Sequence, residues 1–269
     1  MEFDVLSYHI ALAAAAVFVY VTTWFLISRI VRRNDVADVA WGPGIALVGL
    51  IALLLAPAPD DRLTIMSALV FLWGVRLAMH VWHRTMNRSE DVRYATWRRT
   101  WGRWFVPRSY LQVFILQGLL MLVVAYPLLH VSAFARVPFG LFDVIGLVIW
   151  LVGFLYETIA DMQLRRFMAD RSNAGKIFTS GLFKYSRHPN YFGESLQWWG
   201  LATFALATPY GVLAFVSPVV VTLLLLYVSG IPMLEAHLQH KPGYRAYASR
   251  TNALIPWCTK VPSLVEKAR

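Results

Sequence analysis

The sequence has 269 residues, of which 58% are hydrophobic and only 15% are charged. Soluble domains average roughly 45–50% apolar and about 25% charged residues, so this composition excludes an ordinary soluble enzyme. The formal charge of +10 fits basic loops on the cytosolic face of a membrane better than it fits nucleic-acid binding. The single cysteine, Cys258, excludes an internal disulfide and a cysteine-rich metal site, and we predict no bound metal.

Seven apolar runs are long enough to cross a bilayer, which takes about 20 helical residues. They lie at about 8–28, 42–58, 63–82, 109–130, 139–160, 191–208 and 211–231. The first run follows an acidic start and has no basic segment before it, so we interpret it as a retained helix and not a signal peptide. The pattern predicts an all-α polytopic bundle of seven transmembrane helices, a single domain over 1–269 with cytosolic loops capping a cofactor pocket.

The first cytosolic loop contains two aspartates, Asp35 and Asp38, at the entry to the second run. An aspartate beside an apolar wall can have a raised pKa and act as a proton donor. Helix N-capping is the commoner role for a residue in this position. Both interpretations stay open at this point.

The third run has a basic stripe, because Arg76, His80 and Arg84 recur every four residues. Three basic groups on one helical face suit an anionic cofactor or a proton relay. Beyond this run, residues 89–94 form a compact polar turn that includes Arg93 and Tyr94. An ordinary solvated loop is the alternative interpretation of that turn.

The fifth run has a second polar stripe, formed by Glu157, Asp161 and Arg165 at the same spacing. A self-satisfied salt ladder is one interpretation. Two carboxylates for one arginine leave hydrogen-bond acceptors to spare, so we favour contact with a ligand.

The most distinctive local pattern is the basic, aromatic loop that leads into the sixth run at 181–194. Its candidates for ligand contact are Tyr185, Arg187, His188, Asn190, Tyr191 and Glu194. A helix N-terminus preceded by basic side chains favours a phosphate or a carboxylate. Contact with lipid headgroups is the alternative.

Two tyrosines near the C-terminus, Tyr244 and Tyr247, share one helical face. They could close over a nucleotide or anchor the segment at the membrane interface. Basic residues follow the first, third, fifth and seventh runs, whereas the intervening loops contain only Arg62 and Arg136. The positive-inside rule therefore predicts an external N-terminus and a cytosolic C-terminus.

The chain resembles the steroid 5-alpha-reductase family, in particular its bacterial branch of uncharacterised membrane reductases. The resemblance rests on 186–194 and 243–256. It also covers 38–42, the His80 to Thr85 stretch, and Asp161 with Arg165, and it is densest over 157–257. It implies a seven-helix protein of the bacterial inner membrane that binds NADPH from the cytosol. It also implies reduction of the carbon–carbon double bond of an enone in a lipid or steroid-like substrate, with a protein acid polarising the carbonyl oxygen.

Residues matching the family's cofactor site are Asp161, Arg165, Asn190 and Glu194. The family's catalytic tyrosine corresponds to Val81 here, and its catalytic glutamate to either Asp35 or Asp38. The pattern from Arg187 to Gly193 also resembles membrane methyltransferases of the isoprenylcysteine carboxyl methyltransferase type, which use S-adenosylmethionine. A non-enzymatic lipid-binding or transport protein is the third interpretation.

We therefore predict an NADPH-dependent reductase with catalytic roles for Asp38 and His80. The predicted cofactor contacts are Arg84, Arg93, Tyr94, Glu157, Asp161, Arg165, Tyr185, Arg187, His188, Asn190, Tyr191, Glu194, Tyr244 and Tyr247. The predicted partners are a hydrophobic small-molecule substrate and membrane lipid.

Overall fold

The computed structural model describes residues 2–58, 60–85, 89–134 and 137–258, which are almost entirely helical. Arg136, used in the orientation argument, lies outside these ranges. The helices are α1 (Glu2–Val31), α2 (Val36–Leu55), α3 (Asp61–Thr85), α4 (Val92–Trp101), α5 (Phe105–Ser109), α6 (Leu116–Val124), α7 (Tyr126–Phe134), α8 (Leu141–Ala169), α9 (Pro189–Ala205), α10 (Val216–Leu223), α11 (Ile231–Leu238) and α12 (Tyr244–Arg250). Short 3-10 turns lie at Gly102–Trp104, Arg171–Asn173, Gly181–Lys184 and Gly211–Phe215, and π-helical turns at Tyr110–Ile115 and Leu224–Val228.

Six helical stretches among the described residues are long and apolar enough to cross a membrane. They are Glu2–Val31, Val36–Leu55, Asp61–Thr85, Val92–Val124, Leu141–Ala169 and Gly211–Leu238. The prediction of an all-α polytopic membrane protein is therefore confirmed, but the predicted number of seven spans is not exact.

The difference lies in the predicted span at 191–208, which corresponds to the 17-residue helix α9. At 1.5 Å per residue α9 is about 25 Å long, short of the roughly 30 Å of hydrocarbon. Pro189 occupies its first position, and the chain leaves the helix after Ala205 through tight turns that lead to Pro209. The predicted fourth span, 109–130, also differs, because the helix starts at Val92 and is interrupted at Ala125.

One compact unit comprises Met1–Asp143 and Ala202–Ser217. In this unit α2 and α3 approach closely at Gly42 and Gly74. A Cβ atom on Gly42 would lie 2.6 Å from the Gly74 carbonyl oxygen, so only glycine allows this separation. The close packing fixes the start of α2, and with it the position of Asp38.

A buried ion pair joins two helix starts in the same unit. The Arg62 guanidinium donates to both carboxylate oxygens of Asp143, at 2.5 and 2.8 Å, and the two side chains are 1% and 0% exposed. The charge of Arg62 is therefore neutralised within the protein. Removing either partner would leave a buried charge, which typically costs 3–5 kcal/mol.

The second unit comprises Val144–Leu201 and Pro218–Arg269. Here α8 and α9 are in backbone contact through glycines spaced two helical turns apart on each helix. A Cβ atom on Gly193 would lie 2.6 Å from the Gly153 carbonyl oxygen, and one on Gly200 would lie 2.7 Å from that of Gly146. This contact brings the polar stripe of α8 against α9.

The loop before α9 is bound to the C-terminal segment of the same unit. Ser186 and Asn252 form an isolated parallel bridge, and the backbone N–H of Arg187 donates to the Asn252 carbonyl at 2.8 Å. The N–H of His188 donates to the Ala253 carbonyl at 3.1 Å. These bonds fix the entry of the chain into α9.

Candidate functional site

A hydrogen-bonded group that we call the Asp38 cluster consists of Asp38, Asp91, Arg93 and Tyr94. The Tyr94 hydroxyl donates to Asp38 Oδ1 at 2.8 Å, and Arg93 donates to Asp38 Oδ2 at 2.7 Å. Tyr94 is only 3% exposed. The cluster therefore joins a carboxylate to a buried phenol, two groups suited to proton transfer.

Asp91 places Arg93 and Tyr94 by capping α4. Its carboxylate accepts from the Arg93 backbone N–H at 2.9 Å and from Arg93 Nε at 3.0 Å. Burial alone would raise the pKa of Asp91, but the hydrogen bonds from Arg93 and the charge of Arg84 lower it below its usual value. Asp91 therefore stays ionised and holds Arg93 against Asp38.

Asp35, the other candidate acid, holds two loops together. It accepts two hydrogen bonds from the Arg33 guanidinium, at 3.0 and 2.7 Å, and a third from the Asp91 backbone N–H at 3.1 Å. The Asn34 backbone N–H donates to Glu90 at 2.8 Å beside it. Asp35 therefore links the loop before α2 to the loop before α4, and we keep Asp38, which contacts the Tyr94 phenol, as the candidate acid.

The two remaining candidates in this unit, His80 and Arg84, lie one turn apart on α3. His80 is half-buried and Arg84 is exposed. Arg84 acts on the cluster through its charge, which contributes to the lowered pKa of Asp91.

A second group, the amide–carboxylate cluster, consists of Glu157, Asp161, Asn190 and Gln197. Gln197 Nε2 donates to Glu157 Oε2 at 2.6 Å, and Asn190 Nδ2 donates to Asp161 Oδ1 at 3.3 Å. Glu157 is 3% exposed and Asp161 is 6% exposed. Two side-chain amides of α9 therefore face two buried carboxylates of α8.

One acceptor in this cluster has no donor among the described residues. Gln197 is 1% exposed, and its Oε1 atom is buried without a hydrogen bond. A buried carbonyl oxygen in this condition favours a donor from a ligand or from ordered water. Arg165 and Glu194, the remaining members of the two predicted stripes, are exposed and half-buried respectively.

The side chains of Arg187 and His188 are bound to Glu235. Arg187 Nε and His188 Nε2 lie 2.7 and 3.0 Å from Glu235 Oε1. Arg187 also donates to the backbone carbonyls of Ala248 and Thr251. Burial lowers the pKa of His188, although Glu235 acts in the opposite direction, and the ring stacks on Tyr191 at 5.5 Å.

The C-terminal tyrosines are buried against the loop before α9. Tyr247 donates to the Phe183 carbonyl, and burial together with the Glu235 carboxylate raises the pKa of Tyr244 to about 12. Tyr185 is exposed, and its carbonyl accepts from the Trp257 N–H at 3.1 Å. These contacts give Tyr244 and Tyr247 a role in holding the loop that ends in Arg187 and His188.

The sequence alone does not indicate the partners of three residues in these groups, Tyr94, Gln197 and Glu235. It places Tyr94 among the cofactor contacts and not beside Asp38. Gln197 lies seven residues after Asn190 on one helical face, so its place was open to prediction. Glu235 lies 48 residues from Arg187, and no local spacing indicates that contact.

The fold and these clusters define a polytopic α-helical membrane protein with buried ionisable groups of the kind found in enzymes. The chain belongs to the family described as "Protein of unknown function (DUF1295)", whose model matches residues 24–251.

The relatives agree with the resemblance stated from the sequence. An uncharacterized protein of Schizosaccharomyces pombe is 31% identical over 159 residues, which are 51% of this chain and 46% of that protein. The 3-oxo-5-alpha-steroid 4-dehydrogenase 1 of Mus musculus is 40% identical over 63 residues, 23% of this chain and 24% of that enzyme.

A probable O-methyltransferase of Ustilaginoidea virens is 35% identical over 66 residues, 24% of this chain and 23% of that protein. The matched stretches thus cover less than half the length of each of these relatives. No solved structure matches the chain.

Proposed function

We propose that the protein is a membrane-embedded, NADPH-dependent reductase of a carbon–carbon double bond conjugated to a carbonyl group in a hydrophobic, lipid or steroid-like substrate. The observation that carries the proposal is the 2.8 Å hydrogen bond from the buried Tyr94 to Asp38. The relatives named as 3-oxo-5-alpha-steroid 4-dehydrogenases support the same class of reaction.

Reduction of an enone requires a donor for the negative charge that develops on the carbonyl oxygen. In our proposal the Tyr94 hydroxyl donates to that oxygen. When Asp38 is protonated, it donates to the Tyr94 oxygen instead of accepting from it. The Tyr94 proton is then available to the substrate. Arg93 keeps Asp38 oriented, and Tyr94 takes the part of the tyrosine that the family has at the position of Val81. His80, on α3, remains a candidate for resupplying the proton.

The amide–carboxylate cluster is suited to the cofactor implied by the resemblance. When bound, NADPH supplies the hydride that reduces the β-carbon. Gln197 Oε1 is a buried acceptor with no donor in the part of the chain that the structure describes, and an amide-bearing ring such as nicotinamide brings N–H donors. We propose that Glu157, Asp161 and Asn190 orient the cofactor. Exposed Arg165 is available for its phosphates.

Arg187 and His188 have a different part in this proposal. Their side chains are engaged by Glu235, so we propose that they hold the start of α9 and thereby position Asn190 and Glu194. Tyr244 and Tyr247 support the same loop.

Transfer of labelled hydride tests the proposal. The purified protein would be incubated with NADPH deuterated at the transferable position and with two probes, a 3-oxo-4-ene steroid and an acyclic lipid enone. We expect deuterium on the β-carbon of a saturated product. NADPH oxidation without label in the product would contradict a direct hydride transfer.

A second candidate function is methyl transfer from S-adenosylmethionine. The probable O-methyltransferase among the relatives favours this candidate. Arg187 and His188, which belong to the pattern that resembles the methyltransferases, are also held together by their contacts with Glu235. A labelled methyl group transferred to a lipid acid would support this candidate over the reductase.

A further inference from the structure

The start of the fourth membrane-crossing stretch is strongly basic. Residues 92–109 contain five arginines and no aspartate or glutamate. Arg93 is paired with Asp38 and Asp91, and Arg98 is paired with Glu90 at 2.9 Å. Two of the five guanidinium groups are therefore used within the protein.

The other three arginines of this segment, Arg99, Arg103 and Arg108, are exposed. None of them has an ion pair with any residue that the structure describes. Arg103 lies 5.7 Å from the centre of the Trp104 ring, and Arg108 lies 6.0 Å from that of Trp101. Trp104 itself is 55% exposed, so cationic and aromatic groups share one surface.

The distribution of charge along this stretch places the surface near the lipid headgroups. The stretch Val92–Val124 has 33 residues and is broken at Gly102, where φ is +49°, whereas about 20 helical residues are enough to cross the hydrocarbon core. Residues 110–124 contain no charged side chain and suit the hydrocarbon. The basic first half must then lie outside it, at the depth where tryptophan and arginine meet headgroups.

We propose that Arg99, Arg103 and Arg108, with Trp101 and Trp104, form a binding surface for the phosphate groups of anionic phospholipids. Guanidinium groups bind phosphate oxygens through paired, charge-assisted hydrogen bonds. The tryptophan rings reach the glycerol region beside them. Two of the three arginines lie beside a tryptophan face, which limits their freedom before a lipid binds. This inference does not depend on the proposed reductase activity.

Lipid titration of the full-length protein tests the inference. Thermal unfolding would be followed in mild detergent micelles while phosphatidylglycerol or phosphatidylcholine is added. We expect phosphatidylglycerol to raise the unfolding temperature of the wild type and phosphatidylcholine to leave it unchanged. The Arg99→Gln, Arg103→Gln, Arg108→Gln triple variant should need roughly tenfold to a hundredfold more phosphatidylglycerol for the same rise.

Three controls make the result specific. The triple arginine-to-lysine variant keeps the charge and should retain most of the response. Arg166→Gln, Arg171→Gln, Arg245→Gln removes three exposed charges elsewhere and should respond like the wild type. Inorganic phosphate should not replace the lipid.

Each of three results would overturn the inference. The first is equal loss of response in the two glutamine variants, which would indicate net charge alone. The second is an undiminished response of the variant at 99, 103 and 108. The third is full stabilisation by inorganic phosphate.

Discussion

The hydroxyl of Tyr94 donates a 2.8 Å hydrogen bond to the carboxylate of Asp38, although 56 residues separate them in the chain. Arg93 bonds to the other carboxylate oxygen of Asp38, and Tyr94 is almost completely buried, so both groups are held in place. A phenol and a carboxylate in this arrangement can pass a proton without exchange with bulk water. The relationship links the first turn of α4 to the first turn of α2.

The substitution Tyr94→Phe tests this relationship, because it removes only the phenol hydroxyl. Because the phenol is the proposed donor to the substrate oxygen, we expect turnover to fall roughly a hundredfold or more, with cofactor binding unchanged. The measurement is the rate of NADPH oxidation with the enone probes.

Tyr110→Phe is the matched control, since it removes a hydroxyl that bonds to Thr22 at 3.0 Å in the same unit. It should lose only the stability of one hydrogen bond, on the order of 1 kcal/mol. Equal turnover of Tyr94→Phe and the wild type would contradict a catalytic role for Tyr94.

Gly193→Ala tests the contact between α8 and α9. A Cβ atom there would lie 2.5 Å from the Glu157 backbone nitrogen and 2.6 Å from the Gly153 carbonyl oxygen. Separating the helices enough to admit it should lower the free energy of unfolding by about 1–3 kcal/mol. It should also weaken the Asn190 and Gln197 contacts.

Gly140→Ala serves as its control, because the nearest atom to the new Cβ would be a carbonyl oxygen at an ordinary 3.8 Å. Thermal unfolding in detergent distinguishes the two variants. A Gly193→Ala protein as stable as Gly140→Ala would argue against the close backbone contact.

Because His188 is buried, we expect the protein to lose stability in acid. Burial lowers its pKa from the ordinary 6.5, although Glu235 opposes the shift. The unfolded chain then binds a proton that the folded protein resists, so stability falls as the pH drops below about 6.5. The loss ends once the pH is below the lowered pKa of the folded state.

Unfolding temperatures measured from pH 7.5 to pH 5 would show a shallower decline in His188→Gln than in the wild type. His237→Gln, which changes an exposed histidine of the same unit, should decline like the wild type. Parallel curves for all three proteins would mean that His188 is not the group responsible.

The fold was largely predictable from the sequence, because long apolar runs need lipid and form helices there. The polar helical stripes that contain Asp161 and Asn190 were also open to prediction, although spacing within one helix does not identify a partner on another. The short length of α9 was not, because the apolar run continues to residue 208 while the helix ends at Ala205. Hydropathy does not record where a turn begins.

The contacts of Asp38 with Tyr94, and of Arg187 with Glu235, are of another kind. Each joins residues 48 or more positions apart, so helical periodicity carries no information about them. They depend on how loops fold back over helix ends. Charge counting suggested that Arg187 meets phosphate, whereas the structure engages its guanidinium with Glu235 and two backbone carbonyls.

The native cysteine allows a test of the proposed membrane orientation. Cys258 is exposed and is the chain's single cysteine. If the C-terminus is cytosolic, as the basic loops predict, a membrane-impermeant maleimide should label Cys258 in inverted vesicles and not in intact cells. Labelling of Cys258 in intact cells would mean that the C-terminus is external, contrary to the proposal.

The most direct test of the central claim is the choice of cofactor, which requires no knowledge of the substrate. Thermal unfolding of the detergent-purified protein would be measured with NADPH and with S-adenosylmethionine, for the wild type, Asn190→Ala and the exposed control Gln239→Ala. A ligand at a hundred times its Kd stabilises the native state by about 2.7 kcal/mol. We predict stabilisation of the wild type and of Gln239→Ala by NADPH, and a reduced effect in Asn190→Ala. Stabilisation by S-adenosylmethionine alone would contradict the account.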